Sequence, residues 1–133
     1  MSTSNNKTDC ILFLRGTGWD KGLSPEEAQK TMAKLVSWMD GLSQKGIFKG
    51  GQPLENLGKT ISGKSGKNVA DGPFVESKEV VGGYMLIQVD DFDEAVEIAR
   101  GCPLLDHDAV IEVRPVAEVC PTMQRIERMM AAA

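Results

Sequence analysis

An antiparallel sheet carrying two helices on one face, the ferredoxin-like split β-α-β arrangement, is the fold class this sequence predicts. Three observations point there. Strand-like and helix-like stretches alternate as two successive β-α-β units. Helix-start signatures recur at Ser24-Pro25-Glu26-Glu27 and Asp91-Phe92-Asp93-Glu94. The run Gly83-Tyr84-Met85-Leu86-Ile87-Gln88-Val89 is apolar on nearly both faces, as a central strand requires. At 133 residues, 41% of them apolar, the chain suits a single domain with its own core.

The elements follow in order. Residues 1–9 are a polar tail, the domain spans residues 10–116, and residues 117–133 form a helical tail. Cys10-Ile11-Leu12-Phe13-Leu14 is a short apolar run of strand type, ended by Arg15-Gly16-Thr17-Gly18. Ser24 can cap the next helix, Pro25 fits its first position, and Glu27 completes a capping box. Ala28, Met32, Leu35, Met39 and Leu42 then recur at steps of four and three, one apolar stripe with Trp38 at its edge. Gly46 offers a left-handed stop. Ile47-Phe48-Lys49-Gly50 begins a second strand.

From there to Asp71 glycine, lysine and serine dominate. Lys59–Ser62 and Lys67–Ala70 read as a β-hairpin inserted over the main sheet. Gly82-Gly83 permits a bulge at the entrance to the central strand. In the second helix Phe92, Ala95, Val96 and Ala99 share a face, and Gly101-Cys102-Pro103 stops it. Val110–Pro115 is a strand with one apolar face. Pro121–Met130 is a short helix whose stripe of Met123, Ile126 and Met130 must pack on something. Because both faces of the central strand are apolar while the helices cover one, a second copy of the sheet is expected over the other, as a homodimer.

Charge and composition exclude several classes. The net charge of −4 is interspersed, with no basic stripe for direct nucleic-acid binding and no run long enough to span a membrane. Residues 1–9 lack the apolar core of a signal peptide. Three scattered cysteines and one histidine make neither a zinc spacing nor a disulfide framework, so a reduced, cytoplasmic setting is expected, with no metal and no cofactor. Gly58–Ser65 spells the phosphate-loop pattern, but Gly66, Gly72 and Pro73 leave no room for the helix that such a loop must precede.

The candidate site residues cluster around Asp71-Gly72-Pro73-Phe74. Asp71 can accept turn amides or contact a ligand directly, and Phe74 can enter a core or wall a pocket. Glu76, Lys78 and Glu79 can line the pocket or form a solvated face. His107 has the one side chain whose unperturbed pKa lies near neutrality; its place between Asp106 and Asp108 reads as an exposed connection, and a surface role is the commoner one. Cys102 reads as a small core residue. Arg15 and Arg114 end strands, and either meet as an anion site or form ordinary salt bridges.

Asp71-Gly72-Pro73-Phe74, followed by Glu76-Ser77-Lys78-Glu79 and Gly82-Gly83-Tyr84, resembles the DGPF (DGPFAETKE) group of the YCII-related family. Lys45–Gly51, Gly101-Cys102-Pro103 and Ile111–Val116 fit as well, so the resemblance runs from Cys10 to Val116. It implies a ferredoxin-like fold of the dimeric α/β-barrel type, a homodimer, and a biochemical role mostly unassigned. The wider family includes proteins proposed to act through a His–Asp pair whose histidine lies on the first helix. This chain has no histidine between Ser24 and Gly46, and the aspartate position falls near Cys102, so that pair is not carried over. Relatives found beside or fused to alternative sigma factors imply a regulatory link.

These readings converge on a homodimer binding a small polar or anionic ligand between sheet, hairpin and the Asp71 turn. Asp71 would orient the turn and Phe74 form a wall, with Glu76 and Tyr84 as further contacts and Arg15 or Arg114 as charge partners. An enzyme using Asp71, Glu76 or His107 as acid or base is the alternative. A module acting on a transcription factor is the third reading.

Overall fold

A computed structural model of the chain describes residues 6–16, 18–72 and 80–132. Its main sheet has four antiparallel strands: β1 (Thr8–Arg15), β2 (Phe48–Pro53), β5 (Val81–Val89) and β6 (Val110–Pro115), in the order β2-β5-β1-β6. The crossovers are α1 (Pro25–Gln44) and α2 (Phe92–Arg100). This is the α+β, ferredoxin-like topology expected, with β5 and β1 at the centre.

Alternation along the strands separates the two sheet faces. Cys10, Leu12, Met85, Ile87 and Val89 point to one face and are buried against Leu42 of α1 and Ala95 and Ala99 of α2. Ile98 packs there too, whereas Phe92, expected on the same stripe, is exposed. Ile11, Phe13, Tyr84 and Leu86 occupy the opposite face and are half-buried. Neither helix covers them.

Both helices start as their sequences direct. Ser24 Oγ accepts from the Glu27 amide at 3.1 Å while Glu27 Oε1 accepts from the Ser24 amide at 2.9 Å, a complete capping box. The Ser24 backbone N–H holds the Glu27 carboxyl below the usual carboxylate range. Asp91 caps α2 through the Glu94 amide at 2.9 Å. Gly46, at φ 75°, supplies the left-handed turn after α1.

The register shows why two glycines precede the central strand. Leu14 lies opposite Gly83 and Arg15 opposite Val81, so Gly82 is the extra residue of a β-bulge.

Two expectations are corrected. β3 (Lys59–Ser62) and β4 (Asn68–Asp71) do pair, but as a separate two-stranded sheet whose residues are all exposed. The hairpin therefore does not lie over the main sheet. Its alternating residues, Ile61 and Val69 among them, are too few and too widely set among lysines and serines to build a buried face. The tail helix α3 (Pro121–Ala132) forms, yet none of its residues is buried. Its stripe of Met123, Ile126 and Met130 stays exposed.

Candidate functional site

The helix-facing side of the sheet is not filled along its whole length. Where β1 ends, a cavity of about 410 Å³ opens between sheet and helix. Its roof is the middle of α1, where Met32, Leu35, Val36 and Met39 recur at helical spacing. Its floor is the outer end of β2 and β5, and Trp19 from the β1–α1 loop and Leu104 close one side. The stripe read from the sequence thus serves two purposes. Leu42 enters the core, while Met32, at 44% exposed, stands at the cavity mouth, joined there by Val36, outside that stripe and 51% exposed.

The space exists because of glycine. Gly51 lies opposite the helix-facing Met85, and Gly83 alternates with it, so neither position sends a side chain toward α1. A Cβ at Gly51 would sit 2.4 Å from the Tyr84 carbonyl oxygen, and one at Gly83 3.1 Å from that of Gln52. Both obstacles are backbone, so the floor admits no larger residue without moving a strand.

Polar groups are sparse in the lining. Gln52, Asn56 and Tyr84 are its polar residues, and no Asp, Glu, Lys, Arg or His belongs to it among the described residues. Alternation turns the Tyr84 ring and the side chain of its partner Gln52 to the face opposite Met85, so both border the cavity chiefly through their backbone, and Asn56 is the side-chain amide at its edge.

A second cluster stands behind the Trp19 wall. His107 Nε2 lies 3.0 Å from Thr31 Oγ1, which donates to the Glu27 carbonyl at 3.0 Å. Since that hydroxyl has one proton, the imidazole is the donor in the first contact when Thr31 serves Glu27. The ring centroids of Trp19 and His107 are 6.1 Å apart, tilted by 35°. The surface reading of His107 is thereby corrected: a 3-10 turn (Pro103–His107) folds back onto α1 and half-buries the ring. His107→Ala is expected to cost about 0.5–1.5 kcal/mol, because Thr31 keeps its Glu27 partner, and to red-shift tryptophan emission as Trp19 loses its neighbour. Urea denaturation and steady-state fluorescence check both.

The other sequence-derived candidates lie elsewhere. Asp71 ends β4, pairs with Lys59 across the hairpin, and has a side chain 86% exposed. It is not among the cavity residues. Phe74 and Glu76 lie outside the described residues. Arg15 and Arg114 both approach Glu112, at 3.6 and 3.9 Å, on the uncovered sheet face. The carboxylate of Glu112 thus sits where an anion shared by the two arginines would have to bind, and the ion-pair alternative is the one formed.

The model of the YCII-related domain matches residues 13–119, four fifths of the chain, from the end of β1 through β6. The chain belongs to the YCII-related family. Among solved structures this YCII-related chain is similar to the 5-chloro-2-hydroxyhydroquinone dehydrochlorinase of Burkholderia phenoliruptrix AC1100, solved with 2,5-dihydroxybenzoquinone. They share 13% identity over 78% of this chain and 90% of that one, with a TM-score of 0.43. It is also similar to the hydroxynitrile lyase of Passiflora edulis, at 15% identity over 86% and 97% of the two chains and a TM-score of 0.34. No curated protein matches it.

The cysteines of this YCII-related domain divide by environment. Burial pushes the thiols of Cys10 and Cys102 up, so both stay protonated core residues, as read for Cys102 from sequence. Cys120 is exposed, and the Met123 and Thr122 amides at the start of α3 draw its thiol down.

Sequence reasoning missed Trp19, Gln52 and Asn56. Trp19 had one available signal, an aromatic residue stranded in a glycine-rich loop directly after a buried strand. Gln52 and Asn56 had none, because their role depends on where β2 ends.

Proposed function

We propose that the chain is a small-molecule binding protein whose ligand lies in the cavity beneath α1, with the protein acting as a homodimer joined through the uncovered sheet face. The observation that carries the binding reading is an open, apolar cavity of about 410 Å³, the size usual for small-molecule sites. An unfilled space of that kind is costly to keep in a packed interior. The glycines that maintain it forgo packing that a side chain would supply.

The homodimer is supported by Ile11, Phe13, Tyr84 and Leu86, a central apolar group that neither helix covers. The Arg15–Glu112–Arg114 charges run beside it, a polar rim of the kind expected around a self-complementary patch.

Placing the ligand here rather than at the Asp71 turn follows from the lining. Neither Asp71 nor His107 is part of it, so this cavity supports neither of those two as its acid or base. A link to sigma factors rests on the family resemblance alone.

Titration with the uncharged dye Nile red tests the binding reading. Blue-shifted, saturable emission is expected, and Met32→Trp, which fills the mouth from a half-exposed position, should weaken it by about tenfold or more. Undiminished dye binding in that variant, with its fold intact by circular dichroism, would place the ligand elsewhere.

A further inference from the structure

We infer that the ligand of this cavity is an uncharged aromatic molecule, one or two rings in size, carrying a hydroxyl or carbonyl that meets the Asn56 amide. This assignment deepens the binding reading and rests on it.

The absence of charge in the ligand follows from the walls. With no Asp, Glu, Lys, Arg or His among the described lining residues, an ion entering would lose part of its hydration and meet no counter-charge from them. The side-chain carboxamide of Asn56 offers both donors and an acceptor. It can satisfy a neutral hydroxyl or carbonyl at the ligand's edge but not compensate a full charge.

Flatness follows from the glycines. Gly51 and Gly83 leave bare backbone on the helix-facing side of two paired strands, and the bulk at Gly51 is forbidden by the Tyr84 carbonyl 2.4 Å from any Cβ. Above that surface stand the thioethers of Met32 and Met39, whose polarizable sulfurs favour aromatic neighbours. Trp19 offers a ring for edge-to-face or offset contact at the side. A planar ring fills a gap between flat backbone and flexible thioethers more completely than a puckered one of equal carbon count.

The test uses the full chain with methionine methyls labelled in carbon-13, titrated with three probes of similar size. They are 4-methylphenol, benzoate and 4-methylcyclohexanol. The expected result is a saturable shift of the Met32 and Met39 methyl signals by 4-methylphenol, at an affinity about tenfold above that for either other probe. Met32→Leu identifies its signal without filling the mouth. Benzoate binding as tightly overturns the uncharged class, and 4-methylcyclohexanol binding as tightly overturns the aromatic one; either result leaves the binding reading standing. If no probe shifts these methyls, the assignment falls, and Nile red then separates the cases. Dye bound in a Met32-sensitive way retains the binding site, and no dye bound removes that as well.

Discussion

Ile87→Ala is expected to lower the unfolding free energy by about 2–5 kcal/mol. Ile87 is fully buried on the helix-facing side of β5, the strand that pairs with both β1 and β2. It contacts the core in which Cys10, Leu12 and the small residues of α2 meet. Truncation removes the buried methylenes and leaves a void that the two flanking strands cannot close without breaking their ladders. Against a total of about 5–15 kcal/mol for a domain of ordinary stability, this is a large fraction. Urea denaturation should show a lower midpoint with an unchanged slope. Val36→Ala, at the half-exposed cavity mouth, serves as the comparison and should change stability by no more than about 0.5 kcal/mol. A loss below about 1 kcal/mol at Ile87 would mean that β5 is not the centre of the core.

Leu86→Lys, one residue earlier on the same strand, should leave the fold and abolish the proposed dimer. Leu86 faces away from the helices and sits between Ile11 on β1 and Gly50 on β2, at the middle of the uncovered face. In a monomer the lysine can reach water from its half-exposed position. In a two-fold dimer each copy would bring its own ammonium into the contact, so two unpaired charges lose hydration together. The dissociation constant should rise at least about a hundredfold. Sedimentation velocity across micromolar concentrations reads this directly, and a dimer persisting unchanged would exclude the sheet face as the interface.

The contrast between these neighbours shows what the sequence could disclose. Residues with strong local signals were legible: the capping box at Ser24 and Glu27, the doubled glycine that becomes the bulge at Gly82, and the two-faced apolar run of β5. Each depends on chemistry a few residues wide. The cavity was not legible, because it is made by what Gly51 and Gly83 lack, and by Trp19 arriving from a loop with no periodicity. His107 was read as exposed because flanking aspartates are a local cue, whereas its burial comes from Thr31, 76 residues away along the chain. The hairpin was found but misplaced, since pairing between β3 and β4 is local and docking onto the sheet is not. Asp71 drew attention as part of a turn motif, and its carboxylate instead pairs with Lys59 across the two-stranded sheet.

The glycine floor also bears on how relatives of this chain could diverge. Because backbone atoms fix that surface, substitution there is resisted whatever the ligand. The opposing residues of α1 face no such obstacle: Met32 and Val36 stand at the solvent boundary, and exchanging them alters the mouth without touching a strand. A lineage changing its ligand would therefore redraw one helix and inherit the rest. Selectivity would travel with the short segment from Met32 to Met39, so grafting those eight residues between homologues should transfer ligand preference while the sheet stays unaltered.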